Sequence, residues 1–211
     1  MKSITKICWI LLLGVITNFW MGSVWAQYDP EIADENVDKS KVLVSRVSRD
    51  LLADIQKSKD KLDDKDVLKS LIERHVIPAT DLEGVARRIV GEYWSELTSD
   101  QKAQLKRAFG NLVVNTYATA LASYKDETLG ITNAGANKSN HNLVRVDSVL
   151  SGSELSLKVI YYIRRWDSGL GIYDINVNGN QFSSTYKSSL QSFVSKKDFK
   201  ALIANLESQG N

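Results

Sequence analysis

Cysteine is almost missing from this chain of 211 residues, which has a single one, Cys8. One thiol makes no intrachain disulfide framework. Cys8 also falls inside the apolar part of an N-terminal leader, so the mature protein is expected to have no thiol nucleophile or thiolate metal ligand. Histidine is equally scarce. His75 and His141 are the only two, and they are not at ligand spacing within one element, which excludes a recognisable metal motif. Proline occurs only at Pro30 and Pro78, and no long Pro, Gly or Ser linker or internal repeat divides the sequence. Acidic residues are absent before residue 27, although the whole chain contains 25 Asp and Glu. No uninterrupted run approaches the ~20 apolar residues that a membrane-spanning helix needs, because Thr17, Asn18, Gly22 and Ser23 break the longest one.

What the first residues do contain is a cationic start at Lys2 and Lys6, an apolar run over residues 10–16, and the small residues Val24 and Ala26. That order predicts a secretory signal peptide, residues 1–26, cleaved before Gln27. Cleavage removes Lys2 and Lys6 from the 27 Lys and Arg, leaving 25 cations against 25 acids. A neutral mature chain lacks the clustered positive charge on which nucleic-acid binding rests, and no nucleic-acid partner is expected. Residues 27–211 suit one domain.

Beyond a polar lead-in at residues 27–35, Val44, Val47, Leu51 and Ile55 recur at helical spacing. A second amphipathic helix is predicted over residues 65–76, ended by Pro78, and a third over residues 81–96 with Val85, Ile89, Tyr93 and Trp94 on one face. Thr98-x-x-Gln101 is a capping-box pattern opening a fourth helix that carries Leu105, Phe109, Leu112, Val113, Tyr117, Leu121 and Tyr124. Residues 125–142 read as a connector with room for a short edge strand. The period then changes to two. Val144 and Val146 alternate with Arg145 and Asp147. Leu155, Leu157, Val159, Tyr161 and Ile163 share one face of the next strand, and Tyr173, Ile175 and Val177 alternate with Asp174 and Asn176 after a turn at Asp167-Ser168-Gly169. Two closing helices contain Phe182, Tyr186, Leu190 and Phe193, then Phe199, Leu202, Ile203 and Leu206. Helices gathered on an antiparallel meander define an α+β architecture.

An aromatic stripe at helical spacing is ordinarily core, yet a cavity between helices and sheet would produce the same pattern. A catalytic set would have to come from Tyr173, Asp174, Asp147 and His75. Strand parity sends Tyr173 and Asp174 to opposite faces, and His75 has no partner at motif spacing, so no enzymatic activity is expected. On that parity Asp174 reads as a solvated strand residue or a local hydrogen-bonder. A domain that is simply packed and docks a partner through its surface is the other alternative.

Gly91-Glu92-Tyr93-Trp94 with its link through Thr98, the aromatics Phe109, Tyr117 and Tyr124, the strand Tyr173-Asp174-Ile175 followed by Gly179, the pair Tyr186-Lys187, and the closing helix at Leu202 and Leu206 follow one another in a characteristic order. That order resembles the MlaC family of periplasmic phospholipid carriers. The likeness runs over residues 42–206. It departs from the family at Leu170, where a Trp is common, at Asn178, where a Glu is, and at Asn180-Gln181. The resemblance implies a nuclear transport factor 2-like fold, a curved, mostly antiparallel sheet wrapped by helices around a hydrophobic pocket. It implies a glycerophospholipid cargo, with no other cofactor, shuttled between outer and inner membranes to maintain outer-membrane lipid asymmetry. Implied docking partners are an inner-membrane ABC transporter with an MCE-domain subunit and an outer-membrane lipoprotein-porin complex. On this reading the lipid-binding residues are Val85, Ile89, Phe109, Leu112, Val113, Tyr117, Leu121, Val144, Val146, Leu157, Val159, Tyr161, Ile163, Tyr173, Ile175, Val177, Tyr186 and Leu190.

Overall fold

Asp29 and Pro30 start the first helix. In the computed structural model, which describes residues 28–209 apart from Ser123 and Ser168, the Asp29 carboxylate accepts hydrogen bonds from the Glu31 and Ile32 amides at 3.0 and 3.3 Å. Pro30 occupies the first turn, where its missing N–H leaves nothing unsatisfied. The expected leader and its cleavage point lie outside the described residues, as does Ser168 of the expected turn.

Helix α1 (Pro30–Lys57) therefore includes most of the stretch expected to be a polar lead-in. The reason is chemical: its first buried positions are Ala33, Asn36 and Ser40, helically spaced but small or polar, so hydrophobic periodicity does not register them. Asn36 is held by non-local bonds, donating to the His141 carbonyl at 2.9 Å and accepting from Arg165 at 2.7 Å. α2 (Lys65–His75) is capped by Asp64 and buries Leu68, Leu71 and Ile72. The predicted third helix is in fact two, α3 (Leu82–Val90) and α4 (Tyr93–Glu96). Gly91 divides them with φ +59°, a conformation that favours glycine. α5 (Ser99–Leu121) opens with both halves of the Thr98–Gln101 capping box.

The sheet is a five-stranded antiparallel meander in sequence order, β1 (Thr128–Asn137), β2 (Asn140–Ser151), β3 (Ser156–Trp166), β4 (Gly169–Val177) and the short β5 (Asn180–Gln181). β1 replaces most of the expected connector. Its Gly130, Asn133, Gly135 and alanines have little strand propensity, and pairing along β2 supplies what local preference does not. Register shifts between Ile131 and Asn133, and between Tyr162 and Ile163, bend the sheet. α6 (Phe182–Ser195) and α7 (Phe199–Gln209) return against α3 and α5.

Two cores result. α3 to α7 bury Ile89, Trp94, Leu105, Phe109, Leu112, Leu190, Leu202 and Leu206 together, whereas α1 presses Leu43 and Val44 onto Val144, Val146 and Ile163 of the sheet. The α3–β4 contact is unusually close. Asp81 N donates to the Ile172 carbonyl at 2.8 Å, and a Cβ on Gly84 would stand 2.9 Å from Tyr173 Cβ and 2.0 Å from Asp81 Oδ2. Gly84→Ala is thus expected to destabilise the fold by about 2 kcal/mol despite the better helix propensity of alanine. Thermal unfolding should read this as a drop of about 4–8 °C; an unchanged midpoint would show that the contact relaxes freely.

Candidate functional site

Between α1, the C-terminal half of α5 and the concave face of the sheet lies a cavity of about 310 Å³. α1 contributes Val44, Val47, Ser48, Leu51 and Leu52, while Ile72 and Val76 come from the α2 region and Val85 from α3. α5 supplies Val113, Tyr117, Ala120 and Leu121. The sheet adds Leu129, Leu150, Leu155, Leu157, Val159, Tyr161, Ile172, Ile175 and Val177, and Phe182 at the start of α6 completes the wall. Two open clefts elsewhere, of about 500 and 650 Å³, are flanked by charged groups such as Glu73, Arg107 and Glu207, or Glu83, Lys106 and Arg107. They are chemically unlike the apolar cavity.

Period-two alternation places Leu157, Val159 and Tyr161 on the cavity side of β3, as read from the sequence. On β4 it fails. Tyr162 pairs with Asp174, but the next pair is Ile163 with Ile172, so Tyr173 is an extra residue in a bulge. Ile172 and Ile175 consequently both reach the cavity, three positions apart. Tyr173, expected in the pocket, instead packs on the other side, its ring 6.4 Å from that of Tyr162 and under the guanidinium groups of Arg88 and Arg164 at 5.7 and 5.2 Å.

Of the other residues assigned to the pocket from sequence, Val85, Val113, Tyr117, Leu121, Ile175 and Val177 line the cavity. Ile89, Phe109, Leu112 and Leu190 sit in the helical core, with Tyr186 packed against it, and Val144, Val146 and Ile163 lie in the core under α1. Sequence reasoning missed the α1 residues as cavity wall. Their apolar stripe was visible, but nothing local says that α1 lies across the sheet.

The cavity's polar groups are few. Burial pushes the Tyr161 phenol up to about 12 and raises Tyr117 as well, so both hydroxyls stay protonated at neutral pH. Asp174 also borders the cavity, with no exposed side-chain surface: of its two expected roles, the solvated strand residue is corrected and the local hydrogen-bonder is what the structure has. Its Oδ2 accepts from Arg88 Nε at 2.7 Å and from the Gln181 amide and Ser183 hydroxyl; its Oδ1 accepts from the backbone amides of Ile175 and Ser183. These bonds tie β4 to α3 and α6.

His75, on α2, is 3.0 Å from Asp54 of α1 through Nε2. Hydrogen bonds from Lys57 and His75 hold the Asp54 carboxyl at about 2, and neither His75 nor Asp54 belongs to the cavity wall. Among the described residues no group of three or more His, Cys, Asp or Glu is placed to hold a metal ion. No described helix is long and apolar enough to cross a membrane.

These features define an α+β domain enclosing an apolar cavity between sheet and helices, the form of site that takes apolar ligands. Residues 45–208 match the MlaC protein family, and the chain belongs to that family. It is 23% identical over 130 residues to the intermembrane phospholipid transport system binding protein MlaC of Haemophilus influenzae, an alignment covering 61% of this chain and 59% of that protein. The chain thus spans about three-fifths of that curated relative's length. A solved structure, that of a phospholipid-binding protein from Ralstonia solanacearum in complex with a phospholipid, matches with a TM-score of 0.72 and 25% identity. That match covers 80% of this chain and 95% of the other.

Proposed function

We propose that this protein is a periplasmic carrier that holds a glycerophospholipid by its acyl chains and moves it between the inner and outer membranes. The observation that carries the reading is the cavity itself, walled mostly by aliphatic and aromatic side chains, with the Asp174 charge engaged by Arg88 and its neighbours and Glu127 the other carboxylate of the lining. The energetic need is large. Two acyl chains of about 30 methylenes together represent about 24 kcal/mol of apolar exposure at about 0.8 kcal/mol each, so transfer through water needs an interior nearly as apolar as the membrane. The name of the Haemophilus relative and the phospholipid in the Ralstonia structure support the same cargo.

On this reading residues 1–26 are the leader that exports the chain, and residues 27–211 function as one domain. The docking partners are the inner-membrane ABC transporter, through its MCE-domain subunit, and the outer-membrane lipoprotein-porin complex. Catalysis is not part of the function. Asp174 is surrounded by donors and the Tyr117 and Tyr161 hydroxyls hold their protons, which leaves Glu127 as the lining carboxylate outside that network. It has no acid–base role on this reading, since among the described residues no histidine lines the cavity to exchange a proton with it.

Vesicle transfer tests the proposal. Delipidated protein is expected to withdraw labelled phospholipid from donor vesicles and to deliver it to acceptor vesicles unaltered. No withdrawal, or a chemically changed product, would contradict it.

A further inference from the structure

At the end of the cavity where β2 turns into β3, the wall reaches solvent: Leu155 lines the cavity and is also 37% exposed. The same end carries a second carboxylate of the lining, Glu127, whose situation is opposite to that of Asp174. Glu127 is only 6% exposed, yet it makes no ion pair among the described residues. Its Oε2 accepts the Lys125 amide at 2.8 Å, while Oε1 accepts no hydrogen bond from the described residues.

The side chain is held in place by its surroundings. A Cβ on Gly152 would stand 3.1 Å from Glu127 Cγ, so the β2–β3 turn rests on the stem of Glu127. Tyr124 Oη donates to the Glu127 carbonyl at 3.2 Å and accepts from Gln56 of α1 at 2.9 Å, bracing the residue from the other wall. Neighbouring charge is mainly negative. Asp126 accepts from Ser153, and Lys125 is paired with Glu154, which leaves the Glu127 and Asp126 carboxylates without a cation among the described residues.

We propose that Glu127 forms a headgroup subsite at the cavity mouth, where its carboxylate accepts the primary ammonium of an ethanolamine-type zwitterionic phospholipid whose acyl chains fill the cavity. The inference rests on the carrier reading and adds a headgroup preference to it. A carboxylate fixed at the mouth, with one oxygen bonded to the Lys125 amide and the other open to solvent, gains from a compact cation offering three N–H donors. An anionic headgroup such as phosphoglycerol brings no cation and adds negative charge beside Asp126 and Glu127.

The test is competition between phosphatidylethanolamine and phosphatidylglycerol of identical acyl chains, mixed equally in donor vesicles, with the extracted lipid quantified by mass spectrometry. Wild-type protein is expected to take the ethanolamine lipid over the glycerol lipid by about tenfold, the scale of one partly solvated charge-assisted hydrogen bond. Glu127→Gln should bring the ratio close to one by losing the ethanolamine lipid. Wild-type protein loaded with phosphatidylethanolamine supplies a readout that needs no variant: carbodiimide coupling should join the lipid amine to the peptide containing Glu127. Equal uptake by wild type, a ratio unchanged in a folded Glu127→Gln, or coupling only at other carboxylates overturns the subsite and leaves the carrier reading standing. Uptake of neither lipid overturns both.

Discussion

Val159→Asp is expected to lower phospholipid retention at least tenfold, while Lys158→Ala, one residue away, leaves it unchanged. Val159 is buried on the cavity side of β3, between Ser148 on β2 and Val177 on β4. Among the described residues no cation lines the cavity to pair a new carboxylate there. An unpaired charge in such a wall is disfavoured by several kcal/mol, so it either draws in water or is protonated, and in both cases the acyl chains lose part of their apolar surroundings. Lys158 faces outward and is exposed. Retention is read as lipid per folded protein, after circular dichroism has confirmed the sheet. Val159→Thr supplies a milder step in the same direction, exchanging a methyl for a hydroxyl without adding charge. Equal retention by folded Val159→Asp and wild type would place the lipid somewhere other than this cavity.

Asp174→Asn is expected to cost about 3 kcal/mol of stability, read as a fall of about 6–12 °C in the thermal midpoint. Five donors converge on the two carboxylate oxygens, from Arg88, Ile175, Gln181 and both the amide and hydroxyl of Ser183. Asparagine replaces one of those oxygens with an NH₂ that can only donate, so at least one donor is left facing another. Arg88→Gln should cost less, about 1 kcal/mol, because its side chain is 43% exposed and water can take over part of the lost pairing. Since Gln181 and Ser183 flank Phe182 of the cavity wall, the Asp174 variant is also expected to leak lipid on warming before it unfolds. A midpoint within about 1 °C of wild type would show that the cluster adds nothing net to the fold.

Where sequence and structure agree, the signals are local. The Thr98–Gln101 box needs only four residues, the stripes of α2 and α5 are regular, and the alternation from Leu155 to Tyr161 continues into the cavity wall. Where they part, the determinant lies elsewhere in the chain. The start of α1 is stabilised by Arg165 and His141, more than 100 residues away, and β1 by its ladder with β2. The bulge at Tyr173 inverts the parity of half of β4, so Tyr173 is buried on the side away from the cavity and Ile172 faces it, an outcome that alternation alone cannot express. Asp174 reads as an ordinary polar strand position until α3 and α6 bring their donors to it. Five of the cavity residues come from α1, whose place across the sheet depends on the long-range packing of Leu43 and Val44.

The central claim, that this cavity carries phospholipid, is met most directly by native mass spectrometry of the mature protein purified from a Gram-negative periplasm. The account predicts a species heavier than the bare polypeptide by the mass of a diacyl glycerophospholipid, lost on organic extraction and recovered in the extract. A spectrum of bare polypeptide alone, unchanged after incubation with phospholipid vesicles, would contradict it.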